Sequence, residues 1–374
     1  MKFFVASIVL LVASIRISSA ETNVTESAAS ITNAPLMPAF TANDAATAFA
    51  AYNKTFYVVE NGKGFYKEDE RKGRNHFWTQ AEEIEMVLDV YERTQLPEHR
   101  KQVDELIAGF VDHFGTNWLG NKYNDDLLWM VIASARAYLV TSNTTYLNLA
   151  KFHFDETFAR AWSVALGGGL WWTTNNTSKN ACVNGPGTIA ACYLYQILKD
   201  PLYLDKAQNI HSWNRQKLFD EETGAVRDNM RADGRISRQV FTYNLGTFIG
   251  SANFLAQHTG DKTHLKHAEL AADHARDRVS RDGLLPGYNF GDGHGFNSIL
   301  VRWLGRFARD NQLWPRYHAW MLRNANTAWT NRRADNLSWN RLSLPTPENP
   351  ETPLRAWACA DAIVLLHVVP TELP

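Results

Sequence analysis

Apolar residues recur at three- and four-residue spacing along almost the whole chain after residue 40. Between Glu82 and Thr94, for example, Ile84, Val87, Leu88 and Tyr91 mark one helical face and acids take the other. Strict alternation, the mark of half-buried strands, is scarce. The pattern predicts an all-α protein with helices at 44–57, 77–95, 98–115, 125–141, 144–160, 180–198, 202–217, 239–258, 262–279, 296–310, 315–330 and 354–368.

These twelve alternate in character. Odd members after the first, such as 98–115 and 262–279, carry many Lys, Glu, Asp and His and read as amphipathic, with a solvent-facing side. Even members are richer in Ala, Gly, Cys and large apolar residues and read as buried all round. They also open on the unusual motifs, among them Phe77-Trp78-Thr79-Gln80, Tyr123-Asn124-Asp125-Asp126 and Gly293-His294-Gly295-Phe296. With Trp78, Asp125, Asn180, Thr242 and His294 as markers, the intervals are 47, 55, 62 and 52, a loose helix-pair repeat. Short turns make successive helices antiparallel, so the even helices run the same way. Closing the pairs predicts an (α/α)6 barrel, six inner helices inside six outer ones, with the inner N-termini converging on one mouth. An irregular or solenoid helical array is the alternative.

The N-terminus changes the compartment. Met1-Lys2, an apolar run from Phe3 to Ala13, and Ser18-Ser19-Ala20 before Glu21 form a signal peptide over 1–20. Residues 21–40 read as a flexible Ser/Thr/Ala leader and 41–370 as one catalytic domain. Glycan-acceptor sequons at Asn23, Asn53, Asn143, Asn175, Asn176 and Asn336 agree with a secretory route. No later apolar run has spanning length, so a secreted, extracellular monomer without a stable membrane anchor is expected, with cell-wall association open. Cys182, Cys192 and Cys359 do not make a disulfide scaffold; a single pair and buried free thiols both stay open. A net charge of -1 with 21% charged residues argues against nucleic acid as a partner. The aromatic content, 13 Trp with 13 Tyr and 19 Phe, is high enough to supply both a core and sugar-stacking platforms.

Candidate chemistry centres on Tyr123-Asn124-Asp125-Asp126. Adjacent acids are unfavourable inside a helix but favoured at its start, where free N–H groups and the dipole stabilise anions. Asn124 as a plain N-cap is the ordinary alternative. Two carboxylates among aromatic rings suit glycoside cleavage. Neighbouring Cα atoms lie about 3.8 Å apart and helical side chains diverge by about 100°. Asp125 and Asp126 are thereby compatible with the roughly 5–5.5 Å separation of a retaining pair. Gly167-Gly168-Gly169 lets the chain bend tightly and present Trp171 and Trp172 at a rim; two core rings after a turn are the alternative. Trp78, Tyr123, Trp129, Asn180, Asp228, Tyr243, Asn244 and His294 complete the candidate sugar contacts, while Asp228 also reads as a turn residue and Asn180 and Asn244 as helix caps. His264, His267 and His274 read as a solvated face rather than a metal site; Gly291 to Gly295 matches a phosphate loop only loosely, and no Gly-x-Ser-x-Gly elbow occurs. No metal and no cofactor are expected.

Tyr123-Asn124-Asp125-Asp126-Leu127-Leu128-Trp129, Gly168-Gly169-Leu170-Trp171-Trp172, Lys179-Asn180-Ala181 and Phe241-Thr242-Tyr243-Asn244, in this order, resemble glycoside hydrolase family seventy-six over roughly residues 44–368. That family contains endo-acting α-1,6-mannanases and related fungal cell-wall transglycosylases. The resemblance implies the (α/α)6 barrel, a retaining mechanism with Asp125 as nucleophile and Asp126 as acid/base, and Asp228, Trp78, Trp172 and Tyr243 in the groove. The chain departs from the family pattern at Leu245, at Phe296-Asn297-Ser298 and at Met130. The expected function is endo-cleavage of α-1,6-mannan. A transglycosylase on the same scaffold, a non-catalytic mannan-binding wall protein and a barrel enzyme for uronic acids are the alternatives.

Overall fold

The computed structural model describes residues 36–71, 73–349, 351 and 353–374; the expected signal peptide and the leader up to residue 35 lie outside them. The described residues form α1 (Ala42–Phe56), α2 (Phe77–Thr94), α3 (Pro97–Phe114), α4 (Asn124–Thr141), α5 (Thr144–Ala161), α6 (Ala181–Leu198), α7 (Pro201–Lys217), α8 (Thr242–Thr259), α9 (Thr263–His274), α10 (Phe296–Asp310), α11 (Trp314–Thr330) and α12 (Ala356–Val368). A π turn, Ala275–Val279, extends α9. Two short antiparallel pairs, which the periodicity does not announce, join them: β1 (Tyr57–Glu60) with β2 (Lys63–Tyr66), and β3 (Ser178–Asn180) with β4 (Asn229–Arg231). Asn61 and Gly62, both at positive φ, make the tight turn of the first pair. Of the expected leader, residues 36–40 lie against the body: Ala39 N donates to Asn326 Oδ1 of α11 at 2.7 Å, and Phe40 is buried.

The even helices close a ring, α2 on α4, α4 on α6, α6 on α8, α8 on α10, α10 on α12 and α12 on α2. The odd helices pack outside it. Residues 181–194 of α6 and 356–367 of α12 are buried without a break, as inner helices must be. Outer α5 buries only a stripe, Tyr146, Leu149, Ala150, His153, Phe154, Thr157 and Ala161. The all-α barrel is therefore the fold.

Helix ends differ between the layers. Three outer helices take side-chain caps, while α3, α9 and α11 do not: Thr41 and Asp44 form a capping box on α1, Asn143 caps α5, and Asp200 with Pro201 opens α7. None of the six inner helices has a side-chain N-cap bond. Their first N–H groups are satisfied by loops instead: Asn124 N donates to Trp172 O (2.8 Å), Ala181 N to Asp228 O (2.8 Å) and Thr242 N to the Tyr288 hydroxyl (3.1 Å). The barrel mouth is thus stitched to its own loops.

The acids of α2 do not face solvent. Glu82, Glu85 and Asp89 are buried inside the barrel. Arg136 of α4 reaches Glu85 (2.6 Å), Asp89 (2.8 Å) and Glu92 (2.9 Å); Arg302 of α10 reaches Glu82 (2.5 Å), Glu85 (3.5 Å) and Asp89 (2.6 Å). Burial pushes the Glu82 carboxyl up to about 7 against the pull of Arg302. The expected solvated histidines are also placed otherwise. His267 is buried against Phe219, and His264 lies 5.2 Å from the His211 ring in the seam between α7 and α9. Among the described residues, no group of three or more His, Cys, Asp or Glu stands where it could hold a metal ion.

Arg302→Met leaves Glu82 buried without its partner and Asp89 with Arg136 alone. It is expected to destabilise the fold by about 3–5 kcal/mol in urea unfolding, and a loss under 1 kcal/mol would contradict the lattice as described. Burial, with His264, His267 and Arg215 nearby, pushes His211 down to about 3. The unfolded chain then binds a proton near pH 6.5 that the folded chain refuses. Stability is lost as pH falls below 6.5, at up to about 1.4 kcal/mol per unit. His211→Phe is expected to shrink that acid-side loss, measured as unfolding free energy at pH 7.5 against pH 5.

Candidate active site

A cleft of about 980 Å³ opens where the inner helices begin. Its lining includes Trp78 of α2, Asp125 and Asp126 of α4, Cys182 of α6, Tyr243 of α8 and Phe296 of α10. Five inner helices thus deliver their first turns to one space, and Trp357 of α12 packs edge-on against Trp78 at 5.2 Å. The inner helices are parallel, as the motif positions require.

The acid pair sits in the first turn of α4. Tyr123, not Asn124, is the N-cap position; Asn124 is buried and its side chain is used sideways. Its Nδ2 donates to Trp171 O at 2.8 Å, and its Oδ1 accepts from Arg160 Nε at 2.6 Å. Arg160 also donates to Leu119 O and Asn121 O, clamping the loop that leads into α4. Asn121 then donates through Nδ2 to Asp126 Oδ2 at 2.7 Å. Asp125 Oδ1 is buried without a hydrogen-bond partner, and so is Trp172 Nε1. The Trp172 indole N–H and the Cys182 thiol face Asp125 and favour its anion, without completing bonds of normal geometry.

Burial raises both acids. Asp125 is held well above the usual carboxylate range by burial and then by Asp126. Asp126 is pushed up to about 6 by burial; Asn121 and His76 pull it down, and Asp292 across the cleft pushes it up. The pair retains a proton into the near-neutral range, the condition for one acid and one anion side by side.

The other expected site residues divide in two. Trp78, Tyr123, Trp129, Trp172, Asn180, Asp228 and Tyr243 line the cleft. Tyr243 stacks on Phe296 at 3.9 Å, and Tyr123 leans on Trp172 at 5.4 Å. Asp228 is not a turn residue: its Oδ1 accepts from Asn244 at 3.0 Å and its Oδ2 from Asn229 at 2.7 Å. Asn244 is therefore a buried brace behind Asp228, not a cap and not part of the lining. Trp171 turns away from the cleft, buried, with the Lys179 ammonium 4.7 Å over its ring. His294 does not line the cleft; its neighbours Asp292 and Phe296 do. The sequence reading missed His76, Asn121, Phe290 and Asp292. Asn121 carried a usable signal, standing two residues before the aromatic-acid motif, and Asp292 lies inside a glycine-rich segment read for His294 and weighed as a phosphate loop. Cys182, Cys192 and Cys359 are all buried free thiols.

A helical barrel with adjacent carboxylates under a ring-lined cleft has the architecture of a glycoside hydrolase, and the comparisons agree. Residues 40–354 match the profile of glycosyl hydrolase family 76, and the chain belongs to that family. It is a glycoside hydrolase. Its fold is similar to the GH76A α-1,6-mannanase of Salegentibacter sp. HEL1_6, with 30% identity, TM-score 0.80, and 87% of this chain and 98% of that one covered. An inactive variant of that mannanase, with two adjacent aspartates changed to asparagine, was solved in complex with α-1,6-mannotriose; it is 29% identical over the same shares, with TM-score 0.80. Dfg5 from Chaetomium thermophilum, solved with glucosamine, shares the fold at 17% identity and TM-score 0.72, with 87% of this chain and 88% of that one covered. No curated protein sequence matches the chain.

Because the Asn121 amide holds the Asp126 carboxyl down, Asn121→Ala is expected to move its titration to higher pH. Carbon-13 NMR of labelled aspartate reads this directly; a midpoint that stays put or falls would contradict the contact's role.

Proposed function

We propose that this chain is a secreted, monomeric, endo-acting α-1,6-mannanase that cleaves with retention. Asp125 is the nucleophile and Asp126 the general acid/base. The observation that carries the reading is the pair of adjacent, raised carboxylates at the start of α4, opening into a cleft walled by Trp78, Trp172 and Tyr243. The inactive relative with both neighbouring aspartates replaced, and its α-1,6-mannotriose, support the same residues and substrate class here.

In the first step Asp126 gives its proton to the leaving glycosidic oxygen while Asp125 attacks the anomeric carbon, forming a glycosyl ester. In the second, Asp126 takes a proton from water, whose oxygen displaces the Asp125 carboxylate and restores the starting configuration. Trp172 N–H and the Cys182 thiol favour the Asp125 anion, but burial and Asp126 raise that carboxyl strongly, so the order of the two roles rests on the family resemblance and not on the order of ionisation. Flat rings at Trp78 and Trp172 fit the apolar faces of mannosyl units, and the Asp228 carboxylate, braced by Asn244, suits a sugar hydroxyl.

Linear α-1,6-mannan is expected to be shortened, with α-1,4-glucan and pectin untouched, and the first product seen by proton NMR is the α-anomer. Longer products with added mannooligosaccharide indicate transfer instead of hydrolysis; a β-anomer rules out the retaining pair. Asp125→Ala is expected to lower kcat by roughly a thousandfold or more, because the covalent step is removed. The rate is expected to rise as pH climbs through about 6, where the coupled pair goes from two protons to one, and to fall again where the second proton leaves.

A further inference from the structure

Lys179 is a charged residue that the chemistry above does not use. It stands on β3 between Ser178 and Asn180 and is fully buried. Its ammonium donates to three carbonyl oxygens of one loop, Ser163 O and Ala165 O at 2.7 Å each and Gly168 O at a shorter distance. The Trp171 ring lies 4.7 Å away and the Trp213 ring 5.9 Å. No carboxylate pairs with it among the described residues. The charged neighbours on the elements packed around the loop are Lys217 of α7, whose stem lies against Gly167, and Arg160 of α5, which is used on Leu119, Asn121 and Asn124.

The caged loop is an unusual piece of chain. Leu166, Gly167, Gly168 and Gly169 all have positive φ, in sequence. A left-handed leucine is unfavourable. At Gly169 there is no room for a side chain, since a Cβ would lie 2.4 Å from the Trp213 ring. Such a run persists only when its surroundings over-determine it. The ammonium does this by closing three carbonyls around one point, and Trp213 Nε1 adds a bond to Leu166 O at 3.1 Å.

The loop leads straight to the acid pair. Trp171 O accepts from the Asn124 side chain and Trp172 O from the Asn124 backbone N–H, each at 2.8 Å, and Asn124 is the residue before Asp125. Trp172 N donates to Ser178 O at 2.9 Å, so the strand carrying Lys179 grips the same segment from its other end. We infer that Lys179 is a positioning residue for the acid pair: its ammonium, seated in the cage of Ser163, Ala165 and Gly168 carbonyls, fixes the loop whose end sets Trp172 and the first residue of α4. The inference rests on the proposed roles of Asp125 and Asp126. It has a pH consequence. Burial pulls the Lys179 ammonium down to about 8, so the cage loses its cation on the alkaline side.

Two measurements test it, one of them free of any assay. Tryptophan emission of the wild-type protein, with Trp171 and Trp213 beside the cation, is expected to change between pH 6 and 10 with a midpoint near 8, and Lys179→Met abolishes that transition. On α-1,6-mannooligosaccharide at the pH optimum, Lys179→Met is expected to lower kcat at least tenfold with KM changed less than threefold, and Lys179→Arg to recover part of kcat. Emission that stays flat in the wild type, or a Lys179→Met enzyme with kcat within twofold of wild type, would overturn the inference. If Lys179→Met does not fold, the wild-type emission titration still decides. Wild-type protein inert on α-1,6-mannan while the emission transition appears would sink the substrate reading and leave the cage standing.

Discussion

The barrel is built around buried charge. Inner helices are expected to meet through apolar contacts, yet α2 meets α4 and α10 through Glu82, Glu85 and Asp89 against Arg136 and Arg302, all nearly fully buried. Each ion costs several kcal/mol to desolvate, a cost set against three carboxylate contacts for each guanidinium, although Arg136 Nε and Arg302 Nη2 are buried without a hydrogen-bond partner. Arg136 spans Glu85, Asp89 and Glu92, and Arg302 spans Glu82, Glu85 and Asp89. Such directional bonds fix the rotation of three inner helices about their own axes, which greasy contacts leave loose. The raised Glu82 trims the excess of negative charge by holding a proton near neutral pH. Because side-chain direction at a helix start follows from helix rotation, this lattice also governs where Trp78 and the two aspartates point.

At the mouth, loops rather than caps complete the inner helices. The Trp172 carbonyl accepts from the first N–H of α4, one that a serine or aspartate cap, which bonds the second or third, would leave free. One consequence is economy of position: the bonds that finish the helix are the bonds that bring an indole to the acids. A second is chemical. A capping side chain at residue 123 would spend an oxygen on the backbone, whereas Tyr123 leaves its ring in the cleft. The acids remain in the first turn, where the dipole favours anions, while burial works against ionisation. Burial is the larger influence on both.

Much of this was legible in the residues. Helical periodicity located all twelve helices, and the alternation between charged and apolar members separated outer from inner. The motifs at the even starts then implied one shared cleft, which places Trp78, Asp125, Asp126 and Tyr243 together. What was not legible has physical causes. A stripe of acids has the same period whether it meets water or arginines more than forty residues away, so periodicity alone does not reveal what the α2 carboxylates meet. Adjacent tryptophans point to opposite sides of an extended segment, so only Trp172 of the pair reaches the cleft. Cap-forming residues at helix starts, Asn124, Asn180 and Asn244, suggested local bonds. In the fold, Asn124 and Asn244 are braces to Trp171 and Asp228. His76 and Asp292 lie on irregular segments, where spacing carries no directional information.

In the proposed mechanism the Asp125 carboxylate forms the bond to the sugar while Asp126 moves the proton. Incubation with a slow fluorinated mannosyl donor, followed by peptide mass spectrometry, addresses it most directly. A mannosyl adduct on Asp125, lost in Asp125→Ala, is the predicted result. An adduct on Asp126 or on any other residue would contradict it.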